Sequence, residues 1–411
     1  MNILVLTPLV PYPPHDGDKL RLYYFLKYLK SRGHQIDLFC LTRVKEDMYQ
    51  AEGLRPLCRS LYIEHINHWD LFLNLIGGFL MGGSLNVASY FSPKLRDTLK
   101  AYWAAPAGQA IDVVFAHRLR MAPHAFRYNP QKPVVIDLTD SLVSYSRQLR
   151  KQSGAPLLRR LAAGWDHWFL RKDEVGWSDK AAQALLIAQP DADVLIKHGL
   201  EPDKITVIPN GVDLSASYKK AKTDYPHRAK VVCFVGNMGY APNEEGALWF
   251  LRNVWPQVKR AVPEAVFVAV GGSPRKALRE YDNGNDVLVT GWVPQVEPYL
   301  IQANVSIAPL RFAGGMQNKV ALSLGLGIPV VATTAATAWL PEAGKKLVNV
   351  ADDVNGFADE VIAALQEPMK ARAKAIKGKQ FVAKHYQWKM AGKQLEEVLK
   401  KAVRIGKLKH L

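Results

Sequence analysis

Cysteine is scarce in this 411-residue chain: three occur, Cys40, Cys58 and Cys233, far apart and odd in number. An odd count with no paired spacing argues against a disulfide framework, and no pair of cysteines has the spacing of a metal site. The compartment expected from this is reducing, hence cytoplasmic, with each thiol read as a small buried hydrophobe. Low-complexity tracts and internal repeats are absent. So is a basic leader with a small-residue cleavage site: Met1 to Leu6 runs straight into an apolar segment, which reads as a first strand. There is no helix-turn-helix, zinc or RNA-binding signature, which puts nucleic acid outside the expected partners.

Acidic residues are also in short supply, 37 against 54 Lys and Arg, for a net charge of +17. That excess attracts polyanions, here an anionic membrane surface or a lipid diphosphate. Two basic amphipathic segments stand out. One runs from Leu157 to Lys172, with Arg159, Arg160, Arg171 and Lys172 beside Trp165, Trp168 and Phe169; the other is the tail from Lys400 to Lys409. A solvated helix face is the plain alternative for both. From Leu71 to Pro93 charge is missing altogether. Four glycines (Gly77, Gly78, Gly82, Gly83) with Asn74, Ser84, Asn86 and Ser89 make that stretch a poor spanning helix. It reads either as a buried helix pair or as an apolar insertion that touches a membrane.

What is present is alternation. Short Val/Ile/Leu runs at Ile3–Thr7, Ile36–Leu41, Val113–Ala116, Val134–Asp137 and Ala184–Ile187 are separated by helical patterns such as Lys19 to Lys30. This is the pattern of βαβ units and parallel sheets, and the length suits two α/β domains. A strand ends in the turn Pro209-Asn210-Gly211, followed by a lysine-rich polar stretch to Arg228 that marks a domain boundary. Strands restart at Val231–Gly236, Val266–Val270, Val287–Thr290, Val305–Leu310 and Ile328–Ala332, with a helix from Asn243 to Val262 and helices from Val354 to the end.

The most informative segment is Ala308 to Thr333: strand, glycine-bearing loop, short helix, stop at Gly327, strand. A glycine loop opening a helix presents backbone N–H groups and the positive end of the helix dipole, a site suited to a diphosphate. Lys319, in the first helical turn, adds a mobile positive charge. An ordinary corner with a solvated lysine is the other reading of the same pattern.

This stretch resembles the donor-site signature of the GT-B glycosyltransferases of family 4. Gly315-Met316-Gln317-Asn318-Lys319-Val320 is similar to the subgroup associated with bacterial exopolysaccharide and exosortase loci. The hinge at 207–213 and the segment from Phe234 to Asn243 resemble the same family, and the likeness runs from Met1 to about Trp388.

The resemblance implies two Rossmann-like domains facing a cleft, residues 1–213 on the acceptor side and 214–384 on the donor side, with a last helix (385–411) returning to the first domain. It implies a retaining hexosyl transfer from a UDP- or GDP-linked sugar to a lipid-linked or glycan acceptor in exopolysaccharide synthesis, on the inner face of the cytoplasmic membrane. No resident cofactor is implied. Nor is a catalytic metal, since no Asp-x-Asp metal motif of the GT-A kind is recognised. Lys319 and the loop Gly314, Gly315, Met316, Gln317 and Asn318 would take the diphosphate, helped by Arg311 and by Gly236 and Asn237 after the first donor-domain strand. Gly17, in the turn-rich loop from Pro11 to Lys19, matches the glycine loop facing the donor. His117 resembles the histidine that touches the transferred sugar, and Trp292 and Val293 stand where relatives hold the base. Asp137 is a candidate for the acceptor side, Asp140 for a helix cap, and Glu174 for a structural position. One departure matters. Two glutamates with seven residues between them are usual in the family, and Gly314 and Leu322 occupy those positions. Leu322 offers no acceptor to a ribose. That supports an alternative, a transferase-like protein serving as a nucleotide- or glycan-binding scaffold. A GT-B epimerase would need more acidic residues than the sequence places there.

Overall fold

A computed structural model describes residues 1–14, 17–151, 157–214 and 230–408. His15 and Asp16 of the Gly17 loop, the side chains of Arg159 and Arg160, most of the lysine-rich stretch before Arg228, and Lys409 lie outside the described residues. The chain divides into two compact units, residues 1–211 with 388–411, and residues 212–387. The two passages between units run side by side: the Val212 N–H donates to the Tyr386 carbonyl at 2.8 Å.

Unit 1 is a seven-stranded sheet in the order β3-β2-β1-β4-β5-β6-β7. Its strands are β1 (Asn2–Thr7), β2 (Gln35–Thr42), β3 (Ser60–His65), β4 (Val113–His117), β5 (Val134–Thr139), β6 (Gln183–Leu186) and β7 (Ile205–Val207). Every pairing is parallel. Both faces are covered, so the strands read as continuous apolar runs rather than alternating ones. Ile3 and Val5 join one core with Leu38 and Cys40, while Leu4 and Leu6 join the opposite core with Phe39 and Leu41.

Unit 2 is a six-stranded sheet in the order β10-β9-β8-β11-β12-β13. It consists of β8 (Lys230–Val235), β9 (Ala265–Val270), β10 (Val287–Val289), β11 (Val305–Ala308), β12 (Val330–Ala332) and β13 (Asn349–Val350), again all parallel. Chain order reverses between β8 and β11, and in open sheets of this kind ligands bind at the carboxyl ends of the strands at such a reversal. The expected helix from Asn243 to Val262 is in fact Ala241–Trp249, a wider turn over Phe250–Val254, and Trp255–Ala261. Pro256 accounts for the break, since it has no N–H to continue the ladder.

The C-terminal helix Trp388–Leu408 belongs to unit 1 and packs on the first helix, Gly17–Ser31. Trp388 stacks on Tyr24 with centroids 4.5 Å apart. At Gly392 an added Cβ would come within 2.3 Å of the Tyr28 ring, so the helices approach as only glycine permits. Glu396 is bonded to His34, Tyr28 and Lys400. Burial opposes its charge, but Lys400 and His34 prevail and hold the acid at about 2. The last helix thereby fixes the first, which carries a residue central to the site in unit 1.

Candidate functional site

In unit 1 the site begins at the carboxyl end of β4. His117 is fully buried, and its Nδ1 lies 3.0 Å from an oxygen of Asp137 on β5. The same carboxylate receives two parallel bonds from Arg21, Nε to Oδ2 at 2.9 Å and Nη2 to Oδ1 at 3.0 Å. Arg21 is also fully buried, and its Nη1 donates to the Ile208 carbonyl at 2.7 Å and to Asn210 Oδ1 at 3.1 Å. Burial opposes the charge on Asp137, yet Arg21 and His117 hold its carboxyl well below the usual range. A carboxylate only accepts, so it keeps a proton on Nδ1 and turns Nε2 away. That Nε2 is buried with no hydrogen-bond partner in the protein. The positive φ values of non-glycine residues next to this centre, Arg118 at 69° and Thr139 at 68°, mark backbone strain of the sort found at functional sites.

Asp137, expected on the acceptor side, is instead fully buried, and its oxygens are taken by Arg21 and His117. Asp140 does not cap the helix Leu142–Lys151; it pairs with Arg118, which also pairs with Asp18. Ser141 accepts from the Ser144 N–H instead, and buried Glu174 accepts from Ser141 and from the Leu142 N–H. Gly17 is the first residue of the opening helix.

In unit 2 the site lies where β8 and β11 end. Lys319 is the second residue of the helix Asn318–Leu326, whose N-cap, Gln317, makes no side-chain capping bond. The Lys319 Nζ donates to Asn243 Oδ1 at 2.6 Å and sits 5.3 Å from the centre of the Phe234 ring. Its residue keeps some solvent contact, but burial of the ammonium beside neutral neighbours lowers its pKa to about 7. Asn243 is held in turn: its Nδ2 donates to the Asn237 carbonyl at 2.8 Å. Gly236 is what makes room, since a Cβ there would come within 2.7 Å of Asn243 Nδ2. Gly271, with φ of 142°, admits the next loop, where a Cβ would meet the Gly236 carbonyl at 1.9 Å.

The glycine loop is divided in its roles. Gly314 has open space around its Cα, and Gly315 takes a positive φ of 61°. Gln317 Nε2 bonds back to the Gly314 carbonyl at 2.9 Å, which closes the loop on itself. Met316 is buried, so its side chain packs into the protein and only its backbone faces the loop. Asn237 spends its side chain on its own turn, accepting from the Gly239 N–H at 3.0 Å. Arg311 is directed elsewhere: it donates to the Asp352 carbonyl at 2.7 Å and lies over the Trp249 ring. Its guanidinium is not among the groups around Lys319. Trp292 is 64% exposed and its Cδ1 would lie 3.5 Å from a Cβ on Gly272, so it presents an open indole edge beside a glycine gap. Val293 and Leu322 pack against the same apolar cluster, on Val231, Cys233 and Val268. Leu322 therefore has a packing role that a charged residue would not fill.

Three elements of these sites were not singled out from the sequence: Arg21, the Asn243 contact to Lys319, and Arg118. Arg21 had one signal, its place on the buried stripe of the first helix with Leu22, Phe25 and Leu29. Asp-x-Asp spacings do occur, at Asp16 and Asp18 and at Asp191 and Asp193. Asp18 is bound to Arg118, and Asp193 accepts from Gln189 within its own helix. Among the described residues no group of three or more His, Cys, Asp or Glu is placed to hold a metal. All three cysteines are free, and burial pushes Cys58 and Cys233 up to about 12. No described helix is long and apolar enough to cross a membrane.

Comparison with known proteins bears on both units. Residues 19–216 match the model of Glycosyltransferase Family 4, and residues 229–367 match that of Glycosyl transferases group 1. An uncharacterised 44.6 kDa protein of the cps region of Klebsiella pneumoniae is 21% identical over 88% of this chain and 90% of its own. A GDP-mannose-dependent phosphatidylinositol monomannoside mannosyltransferase of Mycolicibacterium smegmatis is 26% identical over 35% of this chain and 42% of its own. Among solved structures, sucrose-phosphate synthase of Thermosynechococcus elongatus aligns with a TM-score of 0.70 at 16% identity, over 98% of this chain and 99% of its own. The Anabaena protein HepE in complex with UDP and glucose aligns with a TM-score of 0.69 at 15% identity, over 97% and 99%. With one family model on each parallel-sheet unit and GT-B enzymes as structural neighbours, this chain belongs to the family 4 (group 1) glycosyltransferases.

Proposed function

We propose that the protein transfers a sugar from a UDP- or GDP-linked donor to a lipid-linked or glycan acceptor with retention of configuration, in the making of a bacterial exopolysaccharide. The observation that carries the donor half is Lys319, an ammonium at a helix N-terminus whose polar contact is a neutral asparagine. A diphosphate arriving there restores its full charge and is held by backbone N–H groups of the Gly314–Gln317 loop. Trp292 and Val293 would meet the base. Leaving-group departure is then helped mainly by fixed charge and position. In unit 1, Asp137 and Arg21 hold His117 so that Nε2 is left for a hydroxyl of the transferred sugar. The exopolysaccharide assignment draws support from the relative in a cps region. No metal enters this scheme, and the charge of Lys319 serves where one would otherwise act.

Leu322 favours a second reading, a protein that binds nucleotide or glycan without transferring sugar. One assay separates them: incubation with UDP-glucose, UDP-N-acetylglucosamine and GDP-mannose plus membrane extract, with the anomeric configuration of any product read by NMR. A product with the donor's anomeric configuration supports retaining transfer. Nucleotide binding without turnover supports the scaffold.

A further inference from the structure

We propose that Arg118 and Thr139 are specificity-determining residues, which together with His117 read the hydroxyls of a neutral transferred sugar and refuse the matching uronate. This deepens the transferase reading, on which it rests, by naming the class of sugar.

The starting observation is a cluster of unmet hydrogen bonds. Among the described residues five buried side-chain nitrogen or oxygen atoms have no hydrogen-bond partner. Three of them, His117 Nε2, Arg118 Nε and Thr139 Oγ1, lie where β4 and β5 end. The other two, His124 Nδ1 and Ser178 Oγ, sit on separate helices. Buried polar atoms are nearly always paired, so three orphans within two residues of the His117–Asp137 pair point to a ligand that completes them. The backbone is shaped around the same place. His117 is in register with Asp137, the Arg118 N–H donates to the Asp137 carbonyl at 2.7 Å, and the register of β5 on β6 shifts between Asp137 and Thr139. The φ values of 69° at Arg118 and 68° at Thr139 persist only where the surroundings impose them, above all for a β-branched threonine.

The chemistry of the three atoms is mixed. With its proton on Nδ1, His117 Nε2 only accepts; the Arg118 Nε–H only donates; a threonine hydroxyl does either. One sugar hydroxyl can donate to the first and accept from the second, and a neighbouring hydroxyl can meet the third. A carboxylate only accepts, so it would leave Nε2 unmet. Charge points the same way. The terminal nitrogens of Arg118 are taken by Asp18 and Asp140, and its Nη1 also donates to the Leu138 carbonyl at 3.3 Å. Burial disfavours the guanidinium charge, but the two carboxylates outweigh it and raise its pKa. Arg21 is matched by Asp137, and Arg120 is engaged with Asn86 Oδ1 and the Tyr90 ring. Arg118 with its two carboxylates therefore carries a net negative charge. It offers a directed N–H without offering a cation. A neutral sugar gains the hydrogen bond; an anionic one meets repulsion, and selectivity comes from that penalty as much as from the contact.

The test uses the full chain and whichever of UDP-glucose, UDP-N-acetylglucosamine and GDP-mannose it consumes, with membrane extract as the acceptor source. The kcat/KM for that donor is compared with those for its mono-deoxy analogues and its uronate analogue. The wild type should lose about 10³-fold or more on at least one mono-deoxy donor, which leaves buried polar atoms unpaired, and should use the uronate no better. Thr139→Val removes the hydroxyl and keeps the shape; it should cut the deoxy discrimination by about tenfold, and Thr139→Ser should restore it. Arg118→Lys keeps a cation between Asp18 and Asp140 but removes the Nε donor, and should lower the discrimination by at least as much. Asp140→Asn should raise use of the uronate relative to the neutral donor by about tenfold, a ratio that a purely structural role would not move. Thermal unfolding and nucleotide binding by unit 2 verify that each variant is folded. A wild type that prefers the uronate, or uses every mono-deoxy donor as well as the parent, overturns the inference and leaves the transferase. Folded variants that keep the preferences of the wild type overturn it too. Nucleotide binding with no donor consumed overturns the transferase reading, and this inference with it.

Discussion

The two units end their sheets in the same way and furnish those ends in opposite ways. Unit 1 closes a charge network inside itself: Arg21, Asp137 and His117 are fully buried, and the carboxylate's oxygens are taken up by its two neighbours. Unit 2 assembles glycines and neutral amides around one ammonium, Lys319, whose polar contact is Asn243. The first arrangement fixes the direction of an imidazole. The second leaves a charge short of a counter-ion, and burial brings its pKa down to about 7. In the proposed function, the group that orients is satisfied before the ligand arrives, and the group that binds the diphosphate is completed by it.

The sharpest way to break this contrast is to open the network in unit 1. Asp137→Ala leaves the Arg21 guanidinium buried without its partner and should cost about 3–5 kcal/mol in urea unfolding. A cost below 1 kcal/mol would mean that the ion pair is dispensable. His117→Ala removes a directed ring without leaving a buried charge. Transfer should fall by about 10²-fold or more, with nucleotide affinity within a factor of about two of the wild type. Lys319→Ala should do the converse, weakening nucleotide-sugar affinity by about tenfold to a hundredfold, the range of a hydrogen bond to a charged group. Calorimetry measures it.

The pH dependence follows from the same residue. A bound diphosphate raises the Lys319 pKa from about 7, so the contribution is complete below that pH and is lost as pH rises toward the bound value. Affinity for a nucleotide sugar should therefore fall by up to about tenfold per pH unit above neutrality, and Lys319→Ala should flatten the curve. The smallest effect expected is from Leu322→Glu. Because Leu322 packs against the Val231 cluster, a carboxylate there should lower stability by about 1–3 kcal/mol without raising donor affinity. A clear gain in affinity would show that the position still faces a ribose.

How much of this was legible from sequence differs by unit. In unit 2 the candidate site is carried by backbone features. Glycines, a helix start and a lysine lie within a few residues of each other, and local spacing reports local geometry. Even there, Met316 and Arg311 could not be sorted, since nothing local says which side chain turns inward or reaches Asp352. In unit 1 the site is made by contacts far apart in the chain. Arg21 meets Asp137 across 116 residues, so no local pattern joins the two, and Asp137 stood as an acceptor-side candidate because it ends a strand. The parallel sheets themselves were plain, since strands buried on both faces must be apolar throughout. β3 and the two-residue edge strand β13 were not among the runs singled out: β3 mixes Ser60, Tyr62 and Glu64 into its pattern, and β13 is too short to have one.

The most direct test of the central claim is the proton count on donor binding. UDP-glucose and GDP-mannose would be titrated into the protein near pH 7.5, by calorimetry in two buffers of different ionisation enthalpy, for the wild type and for Lys319→Ala. The account predicts a net uptake of protons by the wild type with the preferred donor, and both weaker binding and no uptake by the variant. Equal affinity and equal proton uptake in the two proteins would show that the diphosphate is held elsewhere.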